Sequence, residues 1–142
     1  MWADTLEAFE RAHLLRLLAW GAACVLAGTT IAAWLWVGAH RSNLLKHFAI
    51  QTAAWGGIEA LFALAMWAQI APRDVAGATR LDRLLWLNIG LDAGYVLVGI
   101  TLIVAGWRLG RRLSLVGAGI GVVVQGFALA LLDLVLALQI SR

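Results

Sequence analysis

Four long apolar runs, at about residues 17–39, 48–70, 84–107 and 113–140, dominate this chain. Each is close to the roughly 20 residues that carry a helix across a bilayer. Lipid offers the backbone no hydrogen bonds, so an open spanning segment must satisfy its own amides, and runs of this length fold as helices. The residues are 63% hydrophobic and 13% charged, where a soluble domain carries about 25% charge. The predicted fold is therefore all-α, a four-helix transmembrane bundle lodged in the lipid bilayer. The short connections leave residues 1–142 as a single domain. Ahead of the first run, Trp2, Leu6 and Phe9 fall at helical spacing opposite Asp4, Glu7 and Glu10. That pattern predicts a short amphipathic helix over about 3–13, lying on the membrane surface. Its acids are the reverse of the basic leader of a cleavable signal.

A net charge of +3 and a pI near 10.0 do not make this a nucleic-acid binder. The basic residues cluster at the ends of the runs, where they anchor to headgroups. The side holding both termini and the 71–83 loop has Arg11, Arg16, Arg73, Arg80, Arg83 and Arg142; the other has Arg41, Lys46, Arg108, Arg111 and Arg112. Six against five gives no orientation under the positive-inside rule. Both orientations fit, as does dual insertion into an antiparallel dimer. Cys24 is the single cysteine; it excludes an internal disulfide and a thiol metal site, and its expected role is that of a small apolar packing residue. Gly21, Cys24 and Gly28 share a helical face that permits close contact, and Gly90/Gly94 and Gly117/Gly121 form further small-residue pairs of the kind that pack helices.

The 71–83 loop, with Pro72 and Gly77, divides the chain into two helical hairpins that resemble a diverged repeat. Arg16-Leu-Leu matches Arg83-Leu-Leu, and 25 residues beyond each Arg stands Arg41 or Arg108. Gln51 precedes Glu59 by eight residues, as Gln125 precedes Asp133. Such a duplication is a parallel repeat about an axis along the membrane normal.

Glu59, Asp92 and Asp133 lie inside three separate runs with no Lys or Arg at their depth. A charge there costs at least about 2.5–3.5 kcal/mol, so the default reading is functional. At about 1.5 Å rise per residue the three acids lie roughly 16, 12 and 10 Å from the side bearing the termini. Helical faces agree with this depth. Asn88, Asp92 and Tyr95 share one stripe, Gln51, Trp55 and Glu59 a second, and Gly117, Gly121 and Gln125 a third that passes close to Asp133. Polar stripes turn inward, which gathers the three acids in one interior pocket with Asn88, Tyr95, Gln51, Gln125 and Trp55 around them. Such acids are compensated by a proton, by a bound cation, or by Arg16 or Arg83 reaching in from the interface.

Two readings of the pocket stay open: a site for a proton, cation or small polar solute, or polar glue holding helices together in an accessory subunit. A third is a membrane enzyme acting on a lipid-soluble substrate. No motif names a cofactor. Ser42, Ser114 and Ser141 sit at membrane edges and give no nucleophilic set. His40 and His47 flank the first turn, where interfacial hydrogen bonding is the ordinary role and a metal or haem pair the other; His13 reads as a surface residue. A four-span chain is small for a transport path, so a site version implies a homodimer or larger complex.

The run Leu87-Asn88-Ile89-Gly90-Leu91-Asp92-Ala93-Gly94-Tyr95, then Gly117 and Gly119, then Gln125-Gly126-Phe127 with Asp133 beyond, forms an LNxGLDxGY…QGxxxxxxD pattern. With Trp55-Gly56-Gly57-Ile58-Glu59, it resembles an uncharacterised family of small four-span bacterial integral membrane proteins. The resemblance covers roughly residues 44–140. It implies a four-span architecture in a bacterial inner membrane and singles out Asn88, Asp92, Tyr95, Gln125 and Asp133, without supplying any chemistry.

Overall fold

The computed structural model describes residues 2–38 and 40–140, Trp2 by its backbone alone; Arg142 and the side chain of Trp2 thus lie outside the described residues. Four helices account for the fold: α1 (Trp2–Val37), α2 (Asn43–Trp67), α3 (Val75–Arg108) and α4 (Leu113–Ile140). Each is long and apolar enough to cross a membrane. Local chemistry sets their ends. Ser42 caps α2 by accepting from the Leu45 amide at 3.3 Å, and Asp74 caps α3 by accepting from the Gly77 amide at 2.7 Å; both satisfy amides that a helix start leaves orphaned. Between α3 and α4 the chain reverses through left-handed Gly110 (φ 79°) and Arg111 (φ 55°), and the Arg112 amide returns to the Gly106 carbonyl at 2.8 Å.

In α2 and α3 the buried positions recur at helical spacing, in steps of three and four or of seven. In α2 they are Ala49, Thr52, Gly56, Glu59 and Ala63. In α3 they fall on every seventh residue: Ala78, Leu85, Asp92, Gly99 and Gly106. This is the seam spacing of coiled-coil packing, and Glu59 and Asp92 stand on it among small residues. The small residues bring backbones together: a Cβ on Gly56 would lie 2.5 Å from the Cys24 Cβ and 2.6 Å from the Gly21 carbonyl oxygen, and one on Gly119 would lie 2.6 Å from the Gly99 oxygen. Cys24 is buried in the first of these contacts, as a packing residue.

The two hairpins, α1–α2 and α3–α4, pack tightly within themselves and meet chiefly through α2 and α4; α1 closes one edge against α4. Among the described residues the backbones of α2 and α3 nowhere approach each other. In a symmetric pair of hairpins the α1–α4 and α2–α3 edges would be equivalent. Here one is shut and the other is open.

The outward faces are apolar, with residues such as Leu26, Leu61 and Leu97 largely exposed. Three hydroxyls on these faces are satisfied within their own helices: Thr29, Thr79 and Thr101 donate to the Val25, Val75 and Leu97 carbonyls at 2.6, 2.9 and 2.8 Å. Back-bonding of this kind is what a side chain without water adopts.

Two packing expectations need correction. The segment 3–13 is not a separate surface helix but the first turns of α1, which runs unbroken for 36 residues, about 54 Å at helical rise. The reason is a cluster formed by Leu85, Leu136 and Ala137, against which Phe9 packs. With Leu6 buried as well, the bundle itself covers the apolar face of this segment. Gly90 and Gly94, for their part, make no close packing contact, since a Cβ on either would meet nothing within 4 Å. Gly117 and Gly121 do, against the Leu44 carbonyl and the Gln51 side chain.

Candidate functional site

The open α2–α3 edge leads into a cavity of about 560 Å³. It occupies the half of the bundle nearer the termini, backed by α1 and α4. From Trp55 to Met66 it follows α2 for roughly 16 Å at helical rise. Glu59, Asp92 and Asp133 all line it, as do Asn88, Tyr95, Gln125 and Trp55. The rings of Trp55 and Tyr95 meet edge to face at 5.5 Å and bridge α2 to α3 at the deep end.

The acids differ in how they are satisfied. Both carboxyl oxygens of Glu59, which is 5% exposed, are buried without a hydrogen-bond partner, and so is Oδ2 of Asp92. Glu59 and Asp92 lie within Coulombic reach of one another, and Asp92 within that of Asp133. Asp133 has a partner: its Oδ1 lies 3.3 Å from Nε2 of His13. Gln125, 2% exposed, accepts from the Trp20 indole at 2.8 Å. Both of these contacts join α1 to α4, the edge that is closed.

At the end nearer the termini, Arg73 in the α2–α3 loop donates from Nε to Glu10 Oε1 at 2.6 Å and from Nη2 to Oε2 at 3.0 Å. This two-pronged fit holds the guanidinium above its ordinary value, first through the hydrogen bonds and then through the carboxylate charge. Arg73 is the sole Lys or Arg among the residues lining the cavity, and Glu10 occupies it. Beside it Arg11 pairs with Glu7 at 2.8 Å and lies over the Trp67 ring.

Most of the residues expected to gather here do so. Gln51 does not: it stands one turn beyond Trp55, half-buried against Gly121, on the far side of the aromatic pair. Asn88 is exposed at the mouth. Of the alternatives for compensating the acids, the arginine one differs in its residue: Arg16 and Arg83 are exposed and do not line the cavity, whereas Arg73 does. His13, expected on the surface, is 7% exposed and holds Asp133. His40, outside the cavity, stacks on Trp34 at 4.4 Å. Sequence reading missed Glu10, His13, Trp20 and Arg73. A signal for the first two was present: Leu6, Glu10, His13, Leu17, Gly21, Cys24 and Gly28 form one stripe in steps of three and four, so the packing face of α1 extends through the acidic segment.

The arrangement is an acceptor-rich cavity with apolar walls. Among the described residues, no three His, Cys, Asp or Glu side chains converge closely enough to hold one metal ion. No curated protein and no solved structure matches the chain. A family of unknown function, DUF6992, matches residues 16–134, a stretch that takes in Glu59, Asp92, Gln125 and Asp133 and stops short of Glu10 and His13. Since that match spans most of the sequence, the chain belongs to this family of unknown function.

Proposed function

We propose that this is a non-enzymatic, multi-pass protein of a bacterial inner membrane whose interior acids take up a proton, a cation or a small polar solute. One observation carries the reading: Glu59 keeps both carboxyl oxygens buried and unpartnered, and it lines the same cavity as Asp92 and Asp133. A buried ionised carboxylate without a partner is costly enough that something must compensate it. Among the described residues, the one Lys or Arg that lines the cavity is Arg73, and Glu10 engages it. Glu59 and Asp92 are the primary acceptors. Asp133 is steadied by His13, Gln125 by Trp20, Asn88 stands toward the opening, and Tyr95 meets Trp55 at the deep end. A single four-span bundle is small for a path across a membrane, so the working form is a homodimer or a larger membrane complex.

A second reading, an accessory subunit whose polar groups only fix helix packing, is favoured by the His13–Asp133 and Trp20–Gln125 contacts, both of which tie α1 to α4. It leaves Glu59 unexplained. Thermal unfolding of the detergent-purified chain from about pH 5 to about pH 9, with and without a panel of cations, separates the two. Wild type and a Glu59→Gln/Asp92→Asn variant are compared; both substitutions keep shape and hydrogen bonding while abolishing titration. A pH- or cation-dependent shift confined to wild type is the expected result. Superimposable curves would reject the site and leave the scaffold.

A further inference from the structure

The cavity is far larger than a proton or a bare metal ion requires. Its volume of about 560 Å³ lies within the roughly 300–1,000 Å³ of pockets that enclose whole organic ligands. Its polar character is one-sided. Four carboxyl side chains line it, those of Glu10, Glu59, Asp92 and Asp133, against one guanidinium already bound to Glu10 and one imidazole beside Asp133. The unpartnered oxygens of Glu59 and Asp92, on residues more than nine-tenths buried, call for a donor or a positive charge.

The walls set the rest of the ligand. Phe62, Ile58 and Leu91 are each a little over half exposed and flank the open α2–α3 edge. That edge faces sideways, along the length of helices that are themselves long and apolar enough to span a membrane, so its mouth is met from lipid. At the deep end stand the rings of Trp55 and Tyr95, surfaces that attract a desolvated cation. An inorganic ion gains nothing from such walls, and an anion or a phosphate is repelled by the acids.

Resting on the site reading above, we infer that the α2–α3 cleft binds a lipophilic organic cation, an amine or onium centre carrying apolar groups, admitted from the lipid side. Its charge lies against Glu59 and Asp92, and its apolar substituents replace lipid on Phe62, Ile58 and Leu91.

The test is equilibrium binding of tetraphenylphosphonium to the full chain in detergent, for wild type, Glu59→Gln, Asp92→Asn and Asp82→Asn. Asp82 lies outside the cavity and controls for loss of one negative charge. Saturable binding by wild type and Asp82→Asn, weakened by about tenfold or more in Glu59→Gln and Asp92→Asn, is expected from removing a buried charge partner. If an interior variant fails to fold, Phe62→Ala on the exposed wall replaces it and should also weaken binding. Absence of saturable binding to wild type, or equal affinity in all variants, overturns the inference. Displacement of tetraphenylphosphonium by phosphatidylethanolamine vesicles overturns it too, in favour of a lipid headgroup. Ion- or pH-dependent stability without tetraphenylphosphonium binding would reject the organic cation and keep the acidic site, whereas loss of both would reject both.

Discussion

Gly56 and Gly57 are neighbours on α2 that alanine should affect in opposite directions. A Cβ on Gly56 would stand 2.5 Å from the Cys24 Cβ, 2.6 Å from the Gly21 carbonyl oxygen and 3.0 Å from the Val25 amide nitrogen. Carbon atoms in comfortable contact lie about 3.5–4.0 Å apart, so α1 and α2 must part by about 1 Å, since the atoms met are backbone or a Cβ fixed to it and none can swing aside. Overpacking of that kind costs about 1–3 kcal/mol, offset by the about 0.5–1 kcal/mol that alanine gains over glycine in a helix. The net expectation for Gly56→Ala is a loss of up to about 2.5 kcal/mol. A Cβ on Gly57 would meet nothing within 4 Å, so Gly57→Ala keeps only the gain, at most about 1 kcal/mol. The assay is unfolding of the detergent-solubilised chain on titration with a denaturing detergent, followed by tryptophan fluorescence. Gly56→Ala unfolding at or above the midpoint of Gly57→Ala would refute the close α1–α2 approach. Glu59 would then lose its frame, for it stands three residues beyond Gly56 on the same buried seam.

The polar contacts give further expectations under the same assay. Trp20→Phe removes the donor to Gln125 Oε1 and should cost about 0.6–2 kcal/mol; adding Gln125→Leu, which removes the stranded amide, should recover much of the loss. Arg73→Ala strips Glu10, 6% exposed, of both its hydrogen bonds. A loss of about 1.5–3 kcal/mol is expected, toward the lower figure because the guanidinium is partly in solvent. Because the folded-state value of Arg73 is raised, its contribution is fully present below the ordinary guanidinium range and disappears only as pH climbs through the raised value. Wild type and Arg73→Ala should therefore differ by a constant amount between about pH 9 and about pH 11, where the guanidinium is charged and Glu10 is ionised with or without it. A gap that narrows within that window would assign the stability to another group.

The four helices and the convergence of Glu59, Asp92 and Asp133 are legible in the sequence because both rest on local regularities: run length against bilayer thickness, and polar residues on a three-four seam at matched depth. The same regularities mislead where a neighbour decides. Gln51 shares the stripe of Trp55 and Glu59, yet Trp55 and Tyr95 close the cavity one turn below it, and no helical-face argument reveals a ring contact between two helices. Glu10 reads as solvent-facing because it is charged, and becomes buried because a loop arginine more than sixty residues away reaches it. His13 follows from the same extension of the α1 face. Least legible is the opening itself. Near-equivalent hairpins predict two equivalent edges, α1–α4 and α2–α3. The first is clasped by Trp20–Gln125 and His13–Asp133, whereas across the second the rings of Trp55 and Tyr95 meet while the two backbones stay apart. An acid on a seam finds a partner on the facing helix when that edge closes and stays unpartnered when it does not. Asp133 and Glu59 are those two cases, and what separates them is which edge each one faces.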